Sequence, residues 1–271
     1  MGQLEKILQA HNVTIRFGGL TAVDGVCMEQ YKGEILSLIG PNGAGKTTFF
    51  NLLTGVYQPS EGTILFKGEN ITKLKAYERT KFGIARTFQN IRLFKVMTVL
   101  ENILVAHPGC NQEKLMTSVL LPRKMKRQRE EIVEKCEGLL KIVGLEDMEE
   151  ELSTSLPYGK QRLLEIARGL ATDPQLLLLD EPGAGMNSAE KVELMKVIHH
   201  ITKEMHIDVL IIEHDMKFVM DISDRIIVLD HGVTIAEGKP KEIQVNEKVK
   251  QAYLGSGSIE TDDDEEGEEM T

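Results

Sequence analysis

A run of glycines that ends in a lysine and a threonine has the residue types and spacing needed to hold a polyphosphate. It fits the pattern GxxxxGK[ST] and directly follows the apolar run Ile35–Ile39. In this pattern the glycines let successive backbone N–H groups face phosphate oxygens, and the N-terminus of the next helix adds positive potential. The residues of the run are Gly40, Pro41, Asn42, Gly43, Ala44, Gly45, Lys46 and Thr47.

Two side chains of this run indicate the ligand. A lysine at the position of Lys46 reaches the β- and γ-phosphates of a nucleotide, and a hydroxyl at the position of Thr47 coordinates Mg²⁺. A glycine-rich turn could match the pattern by chance. The buried strand predicted before the run and the apolar helix predicted to begin near Thr47 favour the nucleotide site. We therefore predict that residues 40–48, including Thr48, bind ATP with Mg²⁺.

Two carboxylates directly follow a second apolar run, Leu176–Leu179. In an open α/β sheet, ligands bind beyond the carboxyl ends of the strands, so Asp180 and Glu181 are expected near the phosphate loop. Asp180 suits a water-mediated contact to Mg²⁺, and Glu181 can polarise the attacking water. A carboxylate after a strand is otherwise often a helix cap or a solvated loop residue. Its combination with a phosphate loop favours a catalytic role.

Short apolar runs and helical spacing indicate the elements that must position these residues. The runs Ile35–Ile39, Leu176–Leu179 and Val209–Ile212 are typical of strands buried on both faces of a parallel sheet. The first sixty-odd residues alternate like a sheet, and helical spacing dominates from about residue 99 to residue 144. Strands and helices then alternate to about Gly238. The pattern predicts an α/β fold around a parallel sheet.

Composition and charge exclude several classes of protein. The chain has 271 residues, with 32 Lys and Arg against 42 Asp and Glu and a net charge of −10. Eight of the acidic residues lie within residues 260–271, so residues 1–259 carry only −2. This nearly neutral body argues against a nucleic-acid binder, which relies on clustered basic residues. No run approaches the ~20 apolar residues that span a bilayer, and the N-terminus does not resemble a signal peptide, so we expect a soluble, cytoplasmic chain.

The cysteines and three of the histidines show no spacing typical of metal or redox chemistry. Cys27, Cys110 and Cys136 form no CxxC pair, so neither a disulfide framework nor a zinc site is expected, and each is predicted to be a buried thiol. Three histidines, His199, His200 and His206, have no cysteine or carboxylate at metal-ligand spacing and are predicted to be exposed helix residues.

Further features, together with the phosphate loop and the carboxylates, resemble the ATPases of the ATP-binding-cassette (ABC) family. Gln89 resembles their Q-loop glutamine, which contacts Mg²⁺, and His214 resembles their switch histidine. Phe17, 29 residues before Lys46, matches the aromatic that stacks on adenine. These elements occur in the family's order over residues 4–254. The signature loop, which contacts the ATP of a partner subunit, is matched by Leu156, Pro157, Tyr158, Gly159 and Lys160.

Two of these assignments have a simpler alternative. Most lone histidines serve packing or surface roles, but His214 follows the strand Val209–Ile212 and therefore lies at the same edge as the phosphate loop. Phe17 is either a core aromatic on its strand or an exposed ring that can stack on a base. Family order and spacing favour the functional role for both residues.

Longer strings narrow the resemblance to the LivG-type ATP-binding subunits of branched-chain amino-acid importers. The resemblance implies ATP hydrolysis that energises uptake, a second ABC ATPase subunit as homo- or heterodimer partner, two transmembrane permease subunits and, indirectly, a periplasmic or extracellular amino-acid-binding protein. It implies a peripheral location on the cytoplasmic face of the cell membrane. The related functions left open are urea import, lipopolysaccharide export and a non-transport ABC ATPase. The strings include GIARTFQN, LPYGKQRLLEIARGLATDP, DEPGAGMN and IEHDM.

The chain departs from the family pattern in its signature loop. It has LPYGK where the family usually has LSGGQ, so the usual serine contact is missing and Tyr158 replaces a glycine. The resemblance then implies a contact through backbone N–H groups, whose approach Gly159 permits. The D-loop position usually held by aspartate is Asn187 here. Both departures are typical of the branched-chain group.

The resemblance also implies a division of the chain. Residues 1–259 would form the ATPase domain as a P-loop NTPase (ABC ATPase) core with an antiparallel β subdomain and an inserted helical subdomain. The core and β subdomain would take about residues 1–89 and 161–240, the helical subdomain about 90–160, and a C-terminal helical segment 241–259. Residues 260–271 are predicted to be a disordered acidic tail.

The segment after Gln89 is the expected contact with the permease. Apolar residues lie in this loop, next to the predicted γ-phosphate sensor, and would couple the nucleotide state to a partner's cytoplasmic helix. The alternative is that they pack inside the helical subdomain. A basic cluster between Arg123 and Arg129 could touch anionic lipid or RNA, but a solvated helix face is the simpler interpretation. The apolar residues are Phe88, Ile91, Leu93 and Phe94.

Overall fold

Two sheets flanked by helices form the structure, a computed structural model that describes residues 5–111 and 122–255. The predicted tail at 260–271 lies outside the described residues. The strands are β1 Lys6–Phe17, β2 Leu20–Tyr31, β3 Ile35–Ile39, β4 Glu61–Phe66, β5 Glu69–Asn70, β6 Ile84–Arg86, β7 Leu176–Asp180, β8 Asp208–Ile212, β9 Arg225–Asp230 and β10 Val233–Gly238.

The helices lie between and after these strands, and short 3₁₀ turns occupy Pro108–Asn111, Glu146–Met148 and Ser153–Ser155. The α-helices are α1 Lys46–Leu53, α2 Ala76–Lys81, α3 Val99–Leu104, α4 Pro122–Ile142, α5 Tyr158–Leu170, α6 Ser188–Lys203, α7 Met216–Ile222, α8 Pro240–Gln244 and α9 Glu247–Gly255.

The larger sheet has the strand order β10-β9-β3-β8-β7-β6. Its strands from β9 to β6 run parallel, and β10 pairs with β9 in the antiparallel sense. Every residue of β3, β7 and β8 is buried, because helices cover one face of the sheet and the smaller sheet and α1 cover the other. The predicted α/β fold is confirmed. Its consequence for the site is that β3, β7 and β8 end side by side at one edge.

The smaller sheet is antiparallel, with the order β2-β1-β4-β5. It packs on the larger sheet through one continuous core that joins Ile15 and Val23 to Leu38 and Phe49. Val13 and Ile15 of β1 are buried in this core, whereas Phe17, at the end of the strand, is exposed. The smaller sheet therefore supports the phosphate loop from one side and presents Phe17 outside the core.

The helices between β6 and β7 form a second packed region. The stripe of α5 expected from helical spacing is buried, and its Leu163 packs with Ile103 of α3 and with Cys136 and Leu140 of α4. The charged face of α4 carries ion pairs four residues apart, such as Arg127 Nε to Glu131 Oε1 at 3.0 Å. Lys126, Arg127 and Arg129 of the basic cluster are exposed, as expected for a solvated face, while the side chains of Arg123 and Lys124 lie outside the described residues.

The predictions for three individual side chains, Cys27, Cys110 and His206, are wrong. Cys27 and Cys110 are exposed and only Cys136 is buried, because Cys27 alternates with the inward-facing Val26 and Met28 on β2. His206 is exposed but lies in the connection after α6, where it has a positive φ of 56°, rather than on the helix. Within the described ranges, no helix has the length and apolar character needed to cross a membrane.

Candidate nucleotide-binding and hydrolysis site

The phosphate loop connects β3 to α1 and is tightly packed at its glycines. Gly40 has φ 152°, and a Cβ there would lie 2.1 Å from the carbonyl oxygen of Leu229 in β9. Gly45 has φ 94°, and a Cβ there would lie 2.6 Å from the carbonyl oxygen of Ala22. Side chains are therefore excluded at both positions by neighbouring backbone, which explains why the loop needs glycine there.

Lys46 curls back over the loop. Its Nζ donates to the carbonyl oxygens of Gly40 at 2.6 Å and Pro41 at 2.9 Å. Burial lowers the pKa of Lys46 from its usual value, and the negative charge of Glu181 partly offsets this effect. The ammonium group is thus held inside the loop by carbonyl oxygens, at the position where a phosphate oxygen could replace them.

The loop borders a cleft of about 440 Å³. The cleft brings together residues 42–48 of the predicted phosphate loop, Glu181, which follows β7, and His214, which follows β8. Gly40, Pro41, Gln89 and Asp180 are not among the residues that line it. Sequence reasoning did not assign four further residues that line it, Leu20, Thr21, Ala22 and His231. The predicted residues that line it are Asn42, Gly43, Ala44, Gly45, Lys46, Thr47, Thr48, Glu181 and His214.

Three predicted catalytic side chains meet at one oxygen atom. Oε2 of Glu181 accepts a hydrogen bond from Nε2 of Gln89 at 2.7 Å and lies 3.2 Å from Nε2 of His214. Glu181 has a positive φ of 49°, which turns the chain sharply after β7, and its N–H donates to the carbonyl oxygen of Ile212 at 2.9 Å. The end of β8 thereby fixes the residue that follows β7, with its carboxylate at the rim of the cleft.

A buried glutamate next to His214 joins the loop that follows β7 to the loop that follows β8. Glu213 accepts from the N–H of Gly183 at 2.7 Å and from the N–H of His214 at 3.1 Å. Burial raises the pKa of Glu213, while these backbone hydrogen bonds act in the opposite direction. Glu213 therefore joins the loop after Glu181 to the loop that carries His214.

Asp180 is held by an arginine that sequence reasoning missed. Nη2 of Arg86 lies 2.7 Å from Oδ2 of Asp180, and both side chains are largely buried. The same guanidinium donates to Asn51 at 2.6 Å and to Thr54 at 3.1 Å, both near the end of α1. Because Arg86 ends β6, this ion pair connects β6, β7 and α1 directly below the cleft.

Within the described part of the chain, no residue of the signature-like loop lines the nucleotide cleft. Leu156 and Gly159 are buried, whereas Pro157 and Tyr158 are exposed and Lys160 is half-buried. Pro157 precedes the first turn of α5, where no side chain caps the helix. The N–H groups of that turn have no partner within the helix by construction, so they are available to an anion.

A fully buried arginine connects this loop to Gln89. Arg162 donates to the carbonyl oxygens of Phe88 and Gln89, each at 2.8 Å, and to the hydroxyl of Tyr158 at 3.0 Å. It also pairs with Glu165 at 3.1 Å. Burial raises the pKa of Glu165, and the charge of Arg162 counteracts that rise. Arg162 thus connects the backbone of Phe88 and Gln89, called here the Q-loop, to Tyr158 at the start of α5.

Phe17 is an exposed ring at the end of β1. Its side chain is 45% exposed, and its edge contacts Tyr57 with the ring centroids 5.4 Å apart. It therefore is not a core aromatic. It lies three residues before Leu20, which lines the cleft, although it is not itself among the residues that line the cleft within the described part of the chain.

A second cavity, of about 530 Å³, lies beside the Q-loop segment. Phe88, Leu93 and Phe94 line it, and Phe94 is 45% exposed. Arg92 lies over the ring of Phe88 at 4.1 Å and Arg168 lies over the ring of Phe94 at 5.0 Å. Ile91 is half-buried and is not part of this lining. Phe88, Leu93 and Phe94, on either side of Gln89 in sequence, thus line a groove beside two arginines.

A glycine-rich loop between a buried strand and a helix, with Gln89, Glu181 and His214 gathered at its rim, defines the class of P-loop nucleotide hydrolases. Two family models match the chain: "ABC transporter" over residues 23–184 and "Branched-chain amino acid ATP-binding cassette transporter" over residues 233–258. The chain belongs to the ABC transporter family of ATP-binding proteins, and it is an ATPase.

Relatives of known name support the same assignment. The chain is 44% identical over 251 residues to the high-affinity branched-chain amino acid transport ATP-binding protein LivG of Escherichia coli (strain K12), which covers 93% of this chain and 98% of the relative. It is similar to the ADP conformation of MJ1267, an ATP-binding cassette of an ABC transporter, with a TM-score of 0.81, 34% identity, and 92% and 99% of the two chains covered.

A dimeric cassette is also among the similar structures. The dimeric structure of MJ0796, a bacterial ABC transporter cassette, matches with a TM-score of 0.70 at 26% identity, covering 86% of this chain and 99% of that chain. These comparisons confirm the predicted family and the predicted fold. The matched family consists of nucleotide-binding proteins.

Proposed function

We propose that this ATPase energises the uptake of branched-chain amino acids as the nucleotide-binding subunit of an ABC importer. The assignment of branched-chain amino acids as the transported solute rests on one observation. The chain is 44% identical, over almost the full length of both chains, to a relative named for high-affinity branched-chain amino acid transport. The catalytic part rests on the convergence of Gln89, Glu181 and His214 at the cleft.

The residues of the cleft have separate roles in this proposal. Lys46 and the N–H groups of residues 40–48 hold the phosphates, and Phe17 contributes a face for the adenine ring. Glu181 accepts a proton from the attacking water. His214, which lies 3.2 Å from the same carboxylate oxygen, holds the γ-phosphate side of the cleft. Gln89 positions Glu181 through their hydrogen bond.

A magnesium ion fits the donor set around the phosphate loop. Thr47 lines the cleft, and oxygen donors are also carried by Asp180, the last residue of β7, and by Gln89, three residues after β6. Oxygen donors of this type are what Mg²⁺ prefers. When bound, the ion would neutralise the charge that develops on the phosphates. Arg86 keeps the Asp180 carboxylate in place for this purpose.

A second cassette would complete the site. The signature loop Leu156–Lys160 does not line the cleft formed by its own phosphate loop, and the uncapped first turn of α5 would offer N–H groups to the ATP of a partner subunit. This contact needs no serine hydroxyl, so it is compatible with Pro157 and Tyr158. The dimeric form of a similar cassette supports such a partner, as a copy of this chain or a related subunit.

The groove beside the Q-loop would receive a cytoplasmic segment of a permease. Phe94 is exposed there, and Arg168 donates to the carbonyl oxygen of Arg92 on the same loop. Because Arg162 holds the carbonyl oxygens of Phe88 and Gln89, movement of the loop is passed to α5. The subunit would therefore sit peripherally on the cytoplasmic face of the membrane, with two permease subunits and, through them, an amino-acid-binding protein.

The division of the chain follows from the same proposal. Residues of about 1–89 and 161–240 form the nucleotide-binding core and β subdomain, about 90–160 the helical subdomain, and 241–259 a C-terminal helical segment. The acidic residues 260–271 are proposed as a tail without a part in catalysis. Deleting the tail should leave ATP hydrolysis and uptake unchanged.

Affinity purification of the full chain from its native membrane, followed by uptake measurements, tests the function. We expect two multi-span permease subunits to copurify, and the reconstituted complex to accumulate radiolabelled leucine in an ATP-dependent way. The variant Phe94→Asp should lose permease binding while it retains ATP binding. Uptake of urea, or copurification with a lipopolysaccharide exporter, would contradict the proposal that the transported solutes are branched-chain amino acids.

A further inference from the structure

Arg162 of α5 is a fully buried side chain that holds the backbone of the Q-loop. Its guanidinium group donates to the carbonyl oxygens of Phe88 and Gln89, each at 2.8 Å. Its charge is balanced by Glu165, whose Oε2 lies 3.1 Å from Nη1. Because a guanidinium group is planar and carries its N–H donors in a fixed fork, the acceptors around it together set its orientation.

Tyr158 supplies a further acceptor, since its hydroxyl lies 3.0 Å from Nη2 of Arg162. Tyr158 is the first residue of α5 and is 46% exposed, so its ring lies between solvent and the buried guanidinium group. The ring also lies against Gly185, where a Cβ would be 3.0 Å from Cε1 of the tyrosine. Gly185 belongs to the loop between Glu181 and α6, so this contact restricts the ring and keeps the hydroxyl directed at the arginine.

One nitrogen atom of Arg162 is shared between the signature loop and the Q-loop. Nη2 donates both to the hydroxyl of Tyr158 and to the carbonyl oxygen of Gln89. The side chain of the same glutamine donates to Oε2 of Glu181 at 2.7 Å. Loss of the hydroxyl would leave a buried N–H of a charged group without its acceptor, which costs free energy unless the group turns toward another acceptor. Such a turn would shift the Gln89 carbonyl oxygen and, with it, the contact between Gln89 and Glu181.

We propose that Tyr158 and Arg162 are positioning residues for ATP hydrolysis. The Tyr158 hydroxyl orients Arg162, and Arg162 holds the Q-loop backbone where its glutamine reaches Glu181. The inference rests on the proposed catalytic role of that last contact. It gives the signature loop a second task, beside the proposed contact of its N–H groups with the ATP of a partner subunit. Through this hydrogen-bonded network, the conformation of the loop sets the hydrolysis rate in the cleft of its own chain.

The test is Tyr158→Phe in the full chain, which keeps the ring against Gly185 and removes only the hydroxyl. We expect kcat for ATP hydrolysis to fall about fivefold, the scale of one hydrogen bond, with an unchanged Kd for a non-hydrolysable ATP analogue in calorimetry. Tyr77→Phe removes a hydroxyl from the exposed Tyr77 of α2 and should change neither quantity. An unchanged kcat for Tyr158→Phe would overturn the proposal. A raised Kd with an unchanged kcat would overturn it as well, because the hydroxyl would then act on nucleotide binding.

A double-mutant cycle shows whether the hydroxyl acts through the glutamine. Gln89→Ala removes the side chain that contacts Glu181, and Tyr158→Phe should lower kcat no further in that background. A second fivefold loss in the Gln89→Ala background would show that the hydroxyl acts independently of the glutamine, as a purely structural contact would. That result would overturn the positioning role.

Glu181→Gln separates failure of this inference from failure of the proposed hydrolysis site. If Glu181→Gln loses hydrolysis while Tyr158→Phe fails either of the two tests, the positioning role is wrong and the proposed site stands. If Glu181→Gln hydrolyses ATP at the unmodified rate, both are overturned.

Discussion

Nε2 of Gln89 donates to Oε2 of Glu181 at 2.7 Å, which joins the Q-loop to the residue that follows β7. The same oxygen lies 3.2 Å from Nε2 of His214, which follows β8. Three segments that are far apart in sequence therefore meet at one carboxylate. The carboxylate is 11% exposed and faces the cleft, so it can take a proton from a water bound there.

The ion pair of Arg86 with Asp180 is expected to contribute strongly to stability. Arg86→Ala would leave the Asp180 carboxylate buried without its partner, and we expect the free energy of unfolding to fall by about 3 kcal/mol in urea titrations. Arg127→Ala removes an exposed pair within α4 and should leave the urea midpoint unchanged. Equal midpoints for the two variants would show that the buried pair contributes no more than the surface pair.

Removal of the Phe17 ring is expected to weaken ATP binding. Stacking of a base on an aromatic ring contributes about 1–3 kcal/mol, so Phe17→Ala should raise the Kd for ATP roughly tenfold. Phe17→Tyr keeps the π-face and should bind ATP as the unmodified chain does. An unchanged Kd for Phe17→Ala in calorimetry would remove Phe17 from the nucleotide site and leave it as a surface contact of Tyr57.

The three thiols are expected to differ in reactivity. Burial raises the pKa of Cys136 to about 11, so at pH 8 this thiol is protonated and enclosed, whereas Cys27 and Cys110 are exposed. Because the thiolate is the reactive form, iodoacetamide at pH 8 should modify Cys27 and Cys110 in the folded protein and Cys136 only in urea. Mass spectrometry of the labelled peptides checks this, and native labelling of Cys136 would contradict the packing of α4.

The phosphate loop and the parallel strands could be predicted because their signals are local. Residues 40–47 carry a fixed spacing, and β3, β7 and β8 consist mainly of aliphatic residues. The same holds for Glu181 and His214, whose place at the sheet edge follows from the ends of those runs. Family order supplied Gln89, whose contact with Glu181 no local pattern indicates.

The charged residues that support the site could not be predicted in the same way. Arg86 ends an apolar strand and Arg162 sits among the apolar residues of α5, and only the folded chain shows that their partners come from β7 and from the Q-loop. The exposure of Cys27 could have been predicted from strand alternation, because its neighbours Val26 and Met28 face inward. His231 reaches the cleft from the turn after β9, a position that depends on sheet order.

The variant Glu181→Gln tests whether Glu181 activates water for ATP hydrolysis. We expect the hydrolysis rate to fall by at least about 100-fold, because the amide cannot accept the proton, while the Kd for ATP is unchanged and ATP stabilises a dimer in size-exclusion chromatography. Glu193→Gln, on the exposed face of α6, should hydrolyse ATP at the unmodified rate. Near-normal turnover by Glu181→Gln would show that Glu181 is not the group that activates water.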